Sequence, residues 1–145
     1  MTREVIVVPP ELPLSDAWAI MKRERIRHLP VVRGGKLLGI VSDRDVLLRA
    51  TVGEDGEPAV ATHVAVASAM TPAPFVCGAS TAIEEIVHVM VEKKIDAMPV
   101  VSDGDELVGL VTSTDLMLLL IANGAAELPL PFEFAVHETP APASA

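Results

Sequence analysis

Apolar residues recur along the chain at helical spacing in two places, 69 residues apart. The first stripe predicts an amphipathic helix and consists of Leu14, Ala17, Trp18 and Met21. The second stripe predicts another such helix and consists of Ile83, Ile86, Val87 and Met90. A threonine followed three positions later by a glutamate, Thr81 and Glu84, predicts a capping box at the start of the second helix.

Short aliphatic runs follow each helix and predict two pairs of strands. The runs cover residues 29–32 and 37–41 in the first half, and 98–101 and 107–111 in the second. Gly34-Gly35 separates the first pair and Asp103-Gly104-Asp105 the second, and both are strong hairpin signals. Because the runs are aliphatic on both faces, we expect helices to cover the sheets.

A short motif closes each pair of strands. In it a glycine opens an aliphatic run, a hydroxyl residue follows, and an aspartate comes three positions after the hydroxyl: Gly39-Ile40-Val41-Ser42-Asp43-Arg44-Asp45 and Gly109-Leu110-Val111-Thr112-Ser113-Thr114-Asp115. This pattern predicts a strand running into a helix, with the hydroxyl as N-cap and the aspartate at the third helical position. The helices are predicted at about 43–50 and 113–122. A helix start of this kind can also hold phosphates and ribose hydroxyls, so both capping and nucleotide binding are open interpretations.

Together these patterns predict one α/β unit written twice, as a lead segment, a helix, two strands and a second helix. Matched positions are 69 residues apart up to the hairpins and 70 apart beyond them. We therefore predict a first repeat with an acidic connector at 1–62, a second repeat with a lead-in helix at 63–124, and a tail at 125–145. In the tail, alternation predicts an extra strand at 132–136 followed by disorder, and a frayed tail is the alternative.

Composition places the protein among soluble chains. Half of the residues are hydrophobic, but the longest strongly apolar run, residues 116–122, is far too short to cross a bilayer. The first residues do not resemble a signal peptide, so we expect a cytoplasmic protein without a membrane partner. The single cysteine, Cys77, lies in an aliphatic run and is predicted to be a small core residue.

Charge argues against nucleic acid as a partner. The formal net charge is −9, whereas affinity for nucleic acid rests largely on phosphate neutralisation. The first 69 residues carry nine basic and nine acidic side chains, and the remainder carries two and eleven. An anion would therefore find the better host in the first half. No nucleophile elbow, phosphate loop or metal-ligand spacing is present in the sequence, so we expect neither catalytic nor metal-binding residues.

The doubled pattern resembles the cystathionine beta-synthase (CBS) domain family, whose tandem pairs are called Bateman modules. The resemblance covers about residues 1–123 and rests on a helix ending in methionine, the Pro-Val-Val strand and the Gly-aliphatic-aliphatic-Ser/Thr-x-x-Asp motif. It implies an α/β fold of two βαββα repeats related by a pseudo-twofold axis, with small mixed sheets and helices packed on them. It also implies ligand clefts between the repeats and pairing of modules into a homodimer.

The resemblance assigns roles to individual residues. Asp45 and Asp115 would bind the ribose diol, because a carboxylate accepts two hydroxyl hydrogen bonds at once. Ser42 and Thr112 would lie near the ribose or phosphate. The segments before the Pro-Val-Val strands would line the adenine slot, and they comprise Ile26, Arg27, His28 and Leu29 in the first copy and Ile95, Asp96, Ala97 and Met98 in the second. Phosphates would lie toward Arg27, His28 and Arg44.

The second copy departs from this basic pattern. Asp96 occupies the position of Arg27, and Thr114 that of Arg44, so a phosphate there would meet a carboxylate and lose a guanidinium. Its site is therefore interpreted as empty, as one for adenosine or another weakly charged ligand, or as purely structural. We expect the two sites not to be equivalent.

The resemblance implies a non-catalytic regulatory module that senses an adenosine-containing ligand such as AMP, ADP, ATP, S-adenosylmethionine or NAD. No cofactor is required, since the adenine nucleotide acts as a regulatory ligand, and a separate effector protein would receive the signal. The alternative is a structural or oligomerisation module with vestigial ligand sites, acting through its dimer surface and its C-terminal segment.

Overall fold

A computed structural model of the chain describes residues 2–122, Leu130 and residues 133–142. The chain divides into two compact units. The first-repeat unit comprises Ile6–Ala73 and Glu138–Ala145, and the second-repeat unit comprises Met1–Val5 and Pro74–His137. The units and the predicted repeats therefore divide the chain differently, because the start of each repeat's lead segment belongs to the unit of the other repeat.

The chain begins with strand β1 (Thr2–Val7), which contributes to both units. The first-repeat unit then contains helix α1 (Leu14–Glu24), strands β2 (His28–Arg33) and β3 (Lys36–Ser42), helix α2 (Asp43–Leu47), strands β4 (Thr51–Val52) and β5 (Pro58–Ala59), a 3₁₀ turn (Val66–Ser68) and strand β6 (Thr71–Pro72). The second-repeat unit contains helix α3 (Ile83–Lys93), strand β7 (Ala97–Val101), a 3₁₀ turn (Asp103–Asp105), strand β8 (Leu107–Thr112) and helix α4 (Ser113–Ala122). Strand β9 (Glu133–Glu138) follows.

In the first-repeat unit, β2 and β3 form an antiparallel hairpin to which β6 adds at the edge of β3. The turn uses Gly34 and Gly35 with φ of 59° and 81°, a left-handed conformation that glycine adopts without strain. Helix α1 buries its apolar stripe, and half-buried Trp18 packs against the same core. The fully buried members of this core include Leu14, Ala17, Leu29, Val31, Val41, Val46 and Val66.

The second-repeat unit is built on the same scheme. Strands β7 and β8 pair antiparallel, and their register shifts between Val100 and Val101. The register of the first hairpin shifts at the matching place, between Val31 and Val32, so the two repeats share even this irregularity in strand pairing. The core contains Cys77, Ile83, Ile86, Met90, Met98, Val100, Val111, Leu116 and Leu130.

The predicted hairpin strands and the predicted helix over 113–122 are confirmed, and two local details differ. Helix α2 ends at Leu47, shorter than the predicted 43–50. The predicted capping box at α3 is wrong, because Ala82 is the N-cap and no side chain caps it. The Thr81 hydroxyl is already engaged, since it accepts a hydrogen bond from the Gly78 N–H at 2.9 Å.

The C-terminal segment forms β9, which pairs with β1 in a two-stranded sheet. The sequence predicts a strand at 132–136, and Phe132 itself lies outside the described residues. The Thr139 N–H donates to the Val7 carbonyl at 3.0 Å, so backbone hydrogen bonding with β1 continues past the predicted strand. Among the helices described, none has the length and apolar character needed to cross a bilayer.

Candidate functional site

The first motif forms a reciprocal capping box at the start of α2. The Ser42 N–H donates to Asp45 Oδ2 at 2.8 Å, and the Asp45 N–H donates to Ser42 Oγ at 3.1 Å. This confirms the capping interpretation. The other carboxylate oxygen, Asp45 Oδ1, forms no hydrogen bond or ion pair with any residue that the structure describes. Capping therefore engages one of the two carboxylate oxygens.

The segment around Arg27 is fastened to the same helix start. The Asp43 N–H donates to the Arg27 carbonyl at 2.9 Å, which brings the predicted adenine-lining segment to the motif. The side chains of Arg27 and Arg44 are exposed and form no ion pair within the described part of the chain, while His28 is half-buried. Because α2 has only five residues, positive potential at this point comes from these side chains more than from a helix dipole.

Several aliphatic residues predicted to line the adenine slot are core residues. Leu29 is 0 % exposed and Met98 1 %, and Ala97 is also buried. A ligand can reach these positions only through backbone groups. The half-buried aliphatic residues of the same segments are Ile26 and Ile95, which pack at the edges of the two cores.

The second motif repeats the capping geometry. The Thr112 N–H donates to Asp115 Oδ2 at 3.0 Å, and the Asp115 N–H donates to Thr112 Oγ1 at 3.2 Å. The Ser113 N–H donates to the Asp96 carbonyl at 2.8 Å, as Asp43 does to Arg27. The two copies therefore present their motif aspartates on the same local scaffold.

The copies differ at the second oxygen of the aspartate. Arg3 Nη2 lies 3.4 Å from Asp115 Oδ1, and the two side chains are 29 % and 14 % exposed. Sequence reasoning missed this guanidinium, and the basic groups it offers for the second site are Lys93 and Lys94 at the end of the preceding helix. The repeat offers a signal for this contact. The offset of 69 pairs Arg3 with Pro72, and Pro72 lies in β6 beside β3, the strand that leads into the first motif. Each lead segment packs in the unit of the other repeat, so Arg3 reaches Asp115.

The motif glycines are positions of close approach. A Cβ on Gly39 would lie 2.6 Å from both Met70 Sδ and the Thr71 carbonyl oxygen. A Cβ on Gly109 would overlap the ring of Phe134, which β9 contributes. Both glycines sit on strands that a second segment covers, so the motif needs glycine for packing.

Two other features lie apart from the motifs. A cavity of about 400 Å³ in the first-repeat unit is lined by residues 7–11, 32–34 and 138–141, none of which is a predicted ligand residue. Cys77 is buried as predicted. Its pKa is raised to about 11, mainly by burial and to a smaller extent by the negative charge of Glu85. Its thiol is therefore protonated at neutral pH and a weak nucleophile. Within the described ranges, no three potential metal ligands lie together.

Comparison with known proteins agrees with this architecture. The family model of the CBS domain matches residues 1–51 and 66–122. The chain is 38% identical over 114 residues to the inosine-5'-monophosphate dehydrogenase of Korarchaeum cryptofilum, covering 79% of this chain but only 22% of that protein. It is 32% identical over 128 residues to the CBS domain-containing protein YhcV of Bacillus subtilis, covering 87% and 86% of the two chains.

A solved structure has the same fold. The crystal structure of CBSX2 in complex with AMP superposes with a TM-score of 0.72 at 25% sequence identity, covering 81% of this chain and 89% of the other. The matched family model covers both copies of the strand–motif–helix pattern and their lead segments. The chain therefore belongs to the CBS domain family, and carries a tandem pair of these domains.

Proposed function

We propose that this chain is a non-catalytic regulatory module that senses an adenosine-containing ligand through the first-repeat unit. The observation that carries the proposal is the half-used carboxylate of Asp45. Its Oδ2 is committed to the cap, while Oδ1 has no partner among the described residues and can accept a ribose hydroxyl. The capping bonds fix the orientation of the carboxylate, so ligand binding does not have to offset the entropy cost of ordering this side chain.

The surroundings of Asp45 suit a ligand with an anionic group. Arg27 and Arg44 are exposed guanidiniums without an ion-pair partner in the described residues, and such groups bind phosphate bidentately. His28 adds a third basic group in the same segment. AMP, which CBSX2 binds in its crystal structure, has both the diol and the phosphate that these groups would recognise. ADP, ATP, S-adenosylmethionine and NAD share the diol.

Ligand binding to Asp45 is tested by calorimetry and thermal shift with AMP, ADP, ATP, S-adenosylmethionine and NAD. At least one should bind the wild-type protein, and Asp45→Ala should weaken it by about tenfold or more, because a hydrogen bond to a charged acceptor is lost. The same variant loses a helix cap at a cost of about 1 kcal/mol. Each thermal shift is therefore measured against the variant's own ligand-free midpoint.

Asp43→Ala is the matched control for this test. It removes a carboxylate from the same turn of α2, where Asp43 Oδ1 accepts the neighbouring Arg44 N–H. Affinity should stay within about twofold of wild type, because the Asp43 carboxylate takes no part in the proposed diol and phosphate contacts. Failure of all five ligands to bind, or equal losses in the two variants, would contradict the proposal.

A specific observation favours a second candidate, a structural or oligomerisation module. Helix α4 exposes apolar side chains that a monomeric protein would ordinarily bury, namely Met117, Leu118, Leu120 and Ile121. Helix α2 and its C-cap repeat the feature with Leu47 and Leu48. We propose that these helices form a homodimer contact. Such a contact is expected of an oligomerisation module with vestigial ligand sites. It is equally expected of a sensor that passes its signal to a second copy or to a separate effector protein.

A further inference from the structure

The Arg3–Asp115 contact changes what the second motif can bind. Both residues belong to the second-repeat unit, and Nη2 of the guanidinium lies 3.4 Å from Oδ1 of the carboxylate. The two side chains are only 29 % and 14 % exposed, so neither charge is fully hydrated. The first copy has Pro72 at the position that matches Arg3, and proline has no charge and no side-chain donor. Asp45 and Asp115 are therefore the same group in two electrostatic settings.

Pairing with Arg3 weakens the binding of an uncharged diol by the Asp115 carboxylate. A hydroxyl donor at Oδ1 competes with the guanidinium, so an uncharged diol binds at the cost of the Arg3–Asp115 ion pair. A ligand that also carries an anion removes this penalty. Its diol satisfies the carboxylate while its phosphate or carboxylate takes the guanidinium, so both partners of the original ion pair stay compensated.

The position of Arg3 is set by the C-terminal strand. Arg3 lies on β1, whose sheet partner is β9, and the neighbouring Glu4 on β1 contacts His137 on β9. Phe134 of β9 also packs on Gly109 at the strand that leads into the second motif. Strand pairing therefore fixes the backbone at Arg3 within the second-repeat unit, where its side chain contacts Asp115.

We propose that Arg3 is the specificity-determining residue of the second site, and that it selects ligands bearing both a vicinal diol and an anionic group over uncharged diols. The inference rests on the proposed function, since it takes Asp115 as a diol-binding carboxylate. It differs from all three sequence-based interpretations of the second site, which were an empty site, a site for a weakly charged ligand and a purely structural one. The missing cation of the second copy comes from the lead segment of the first.

The test compares AMP with adenosine by calorimetry in an Asp45→Ala background, which leaves the second site to be measured. AMP should bind about tenfold or more tightly than adenosine, as expected for one charge-assisted contact. Adding Arg3→Gln should bring the two affinities to within about threefold of each other, through weaker AMP binding and unchanged or tighter adenosine binding. Arg3→Lys retains the charge and should keep a preference for AMP, though a smaller one.

Arg23→Gln in the same background is the matched control, because Arg23 is an exposed guanidinium paired with its sequence neighbour Glu24 and belongs to neither motif. It should leave the AMP preference unchanged. An equal preference with and without Arg3, a lysine variant without any preference, or no binding of either probe in Asp45→Ala would overturn the inference. If wild type binds AMP in that last case, the proposed function stands and only the second site is excluded. If wild type binds no adenosine-containing ligand, both fall together.

Discussion

Gly39 is a residue whose small size, more than its backbone freedom, explains its place in the motif. Gly39→Ala should destabilise the protein by about 1–3 kcal/mol, because the added methyl group would press on the Thr71 carbonyl, a backbone atom that cannot rotate away. Urea denaturation measures the change. Gly78→Ala is the matched control, since its nearest neighbours would lie at 3.8 and 3.9 Å, and it should change stability by less than about 0.5 kcal/mol. Equal losses in the two variants would contradict a packing role.

The parts of the site that were predicted from sequence are those fixed by local chemistry. Ser42 and Asp45 are three residues apart, so their capping box follows from spacing alone, and the same holds for Thr112 and Asp115. Arg3 and Asp115 are far apart in sequence, and their contact depends on which unit the lead segment joins. Spacing does not encode that choice, and the basic group of the second site was therefore missed.

Strand β9 is the element that adds most to what the repeats predict. Phe134 packs against the core of the second-repeat unit, and β9 pairs with β1. Alternation predicts the strand, but an alternating segment carries no information about its partner, so neither the pairing with β1 nor the contact with Gly109 could be predicted. The capping box predicted from Thr81 and Glu84 fails for the opposite reason. The spacing fits, but the Thr81 hydroxyl accepts a hydrogen bond from the Gly78 N–H instead.

Phe134→Ala tests whether β9 is an integral part of the second-repeat unit. The half-buried ring should cost about 2 kcal/mol when removed, less than the 3–5 kcal/mol of a fully buried phenylalanine. Chemical denaturation measures the loss. Val136→Ala, an exposed residue of the same strand, should cost less than about 0.5 kcal/mol. A β9 that only rests on the surface would show no difference between the two variants.

At the scale of the described molecule, the two repeats share their capping boxes and hairpins and differ in the chemistry around them. Both copies place an aspartate in the same capping box, and both hairpins shift register at the same position. The copies differ in the source of their basic groups, since Arg27 and Arg44 flank the first motif, whereas Arg3 of the lead segment pairs with the second and has Pro72 as its counterpart. Both sites would then favour a ligand that carries a diol and an anionic group, but they would recognise the anion with residues from different parts of the chain.

The exposed apolar side chains of α4 lead to a prediction about assembly. Ile121 is 84 % exposed and Leu118 47 %, and covering them would remove apolar area from water at a gain of about 25 cal/mol per Å². We expect wild type to have twice the mass of the chain in light scattering at micromolar concentration. The double variant Leu118→Asp/Ile121→Asp should be monomeric, because four carboxylates would have to be desolvated in a symmetric contact.

Val52→Asp is the control for that variant, because Val52 is 82 % exposed in the short β4–β5 hairpin and away from α4 in sequence. It should leave the dimer intact. A monomeric wild type, or an equal loss of mass in both variants, would exclude α4 as the contact. Calorimetry with AMP on the monomeric double variant then separates the two functions. Unchanged AMP binding would place ligand recognition within one chain, and the dimer would serve to transmit the signal. A wild type that dimerises without binding any ligand would leave oligomerisation as the function.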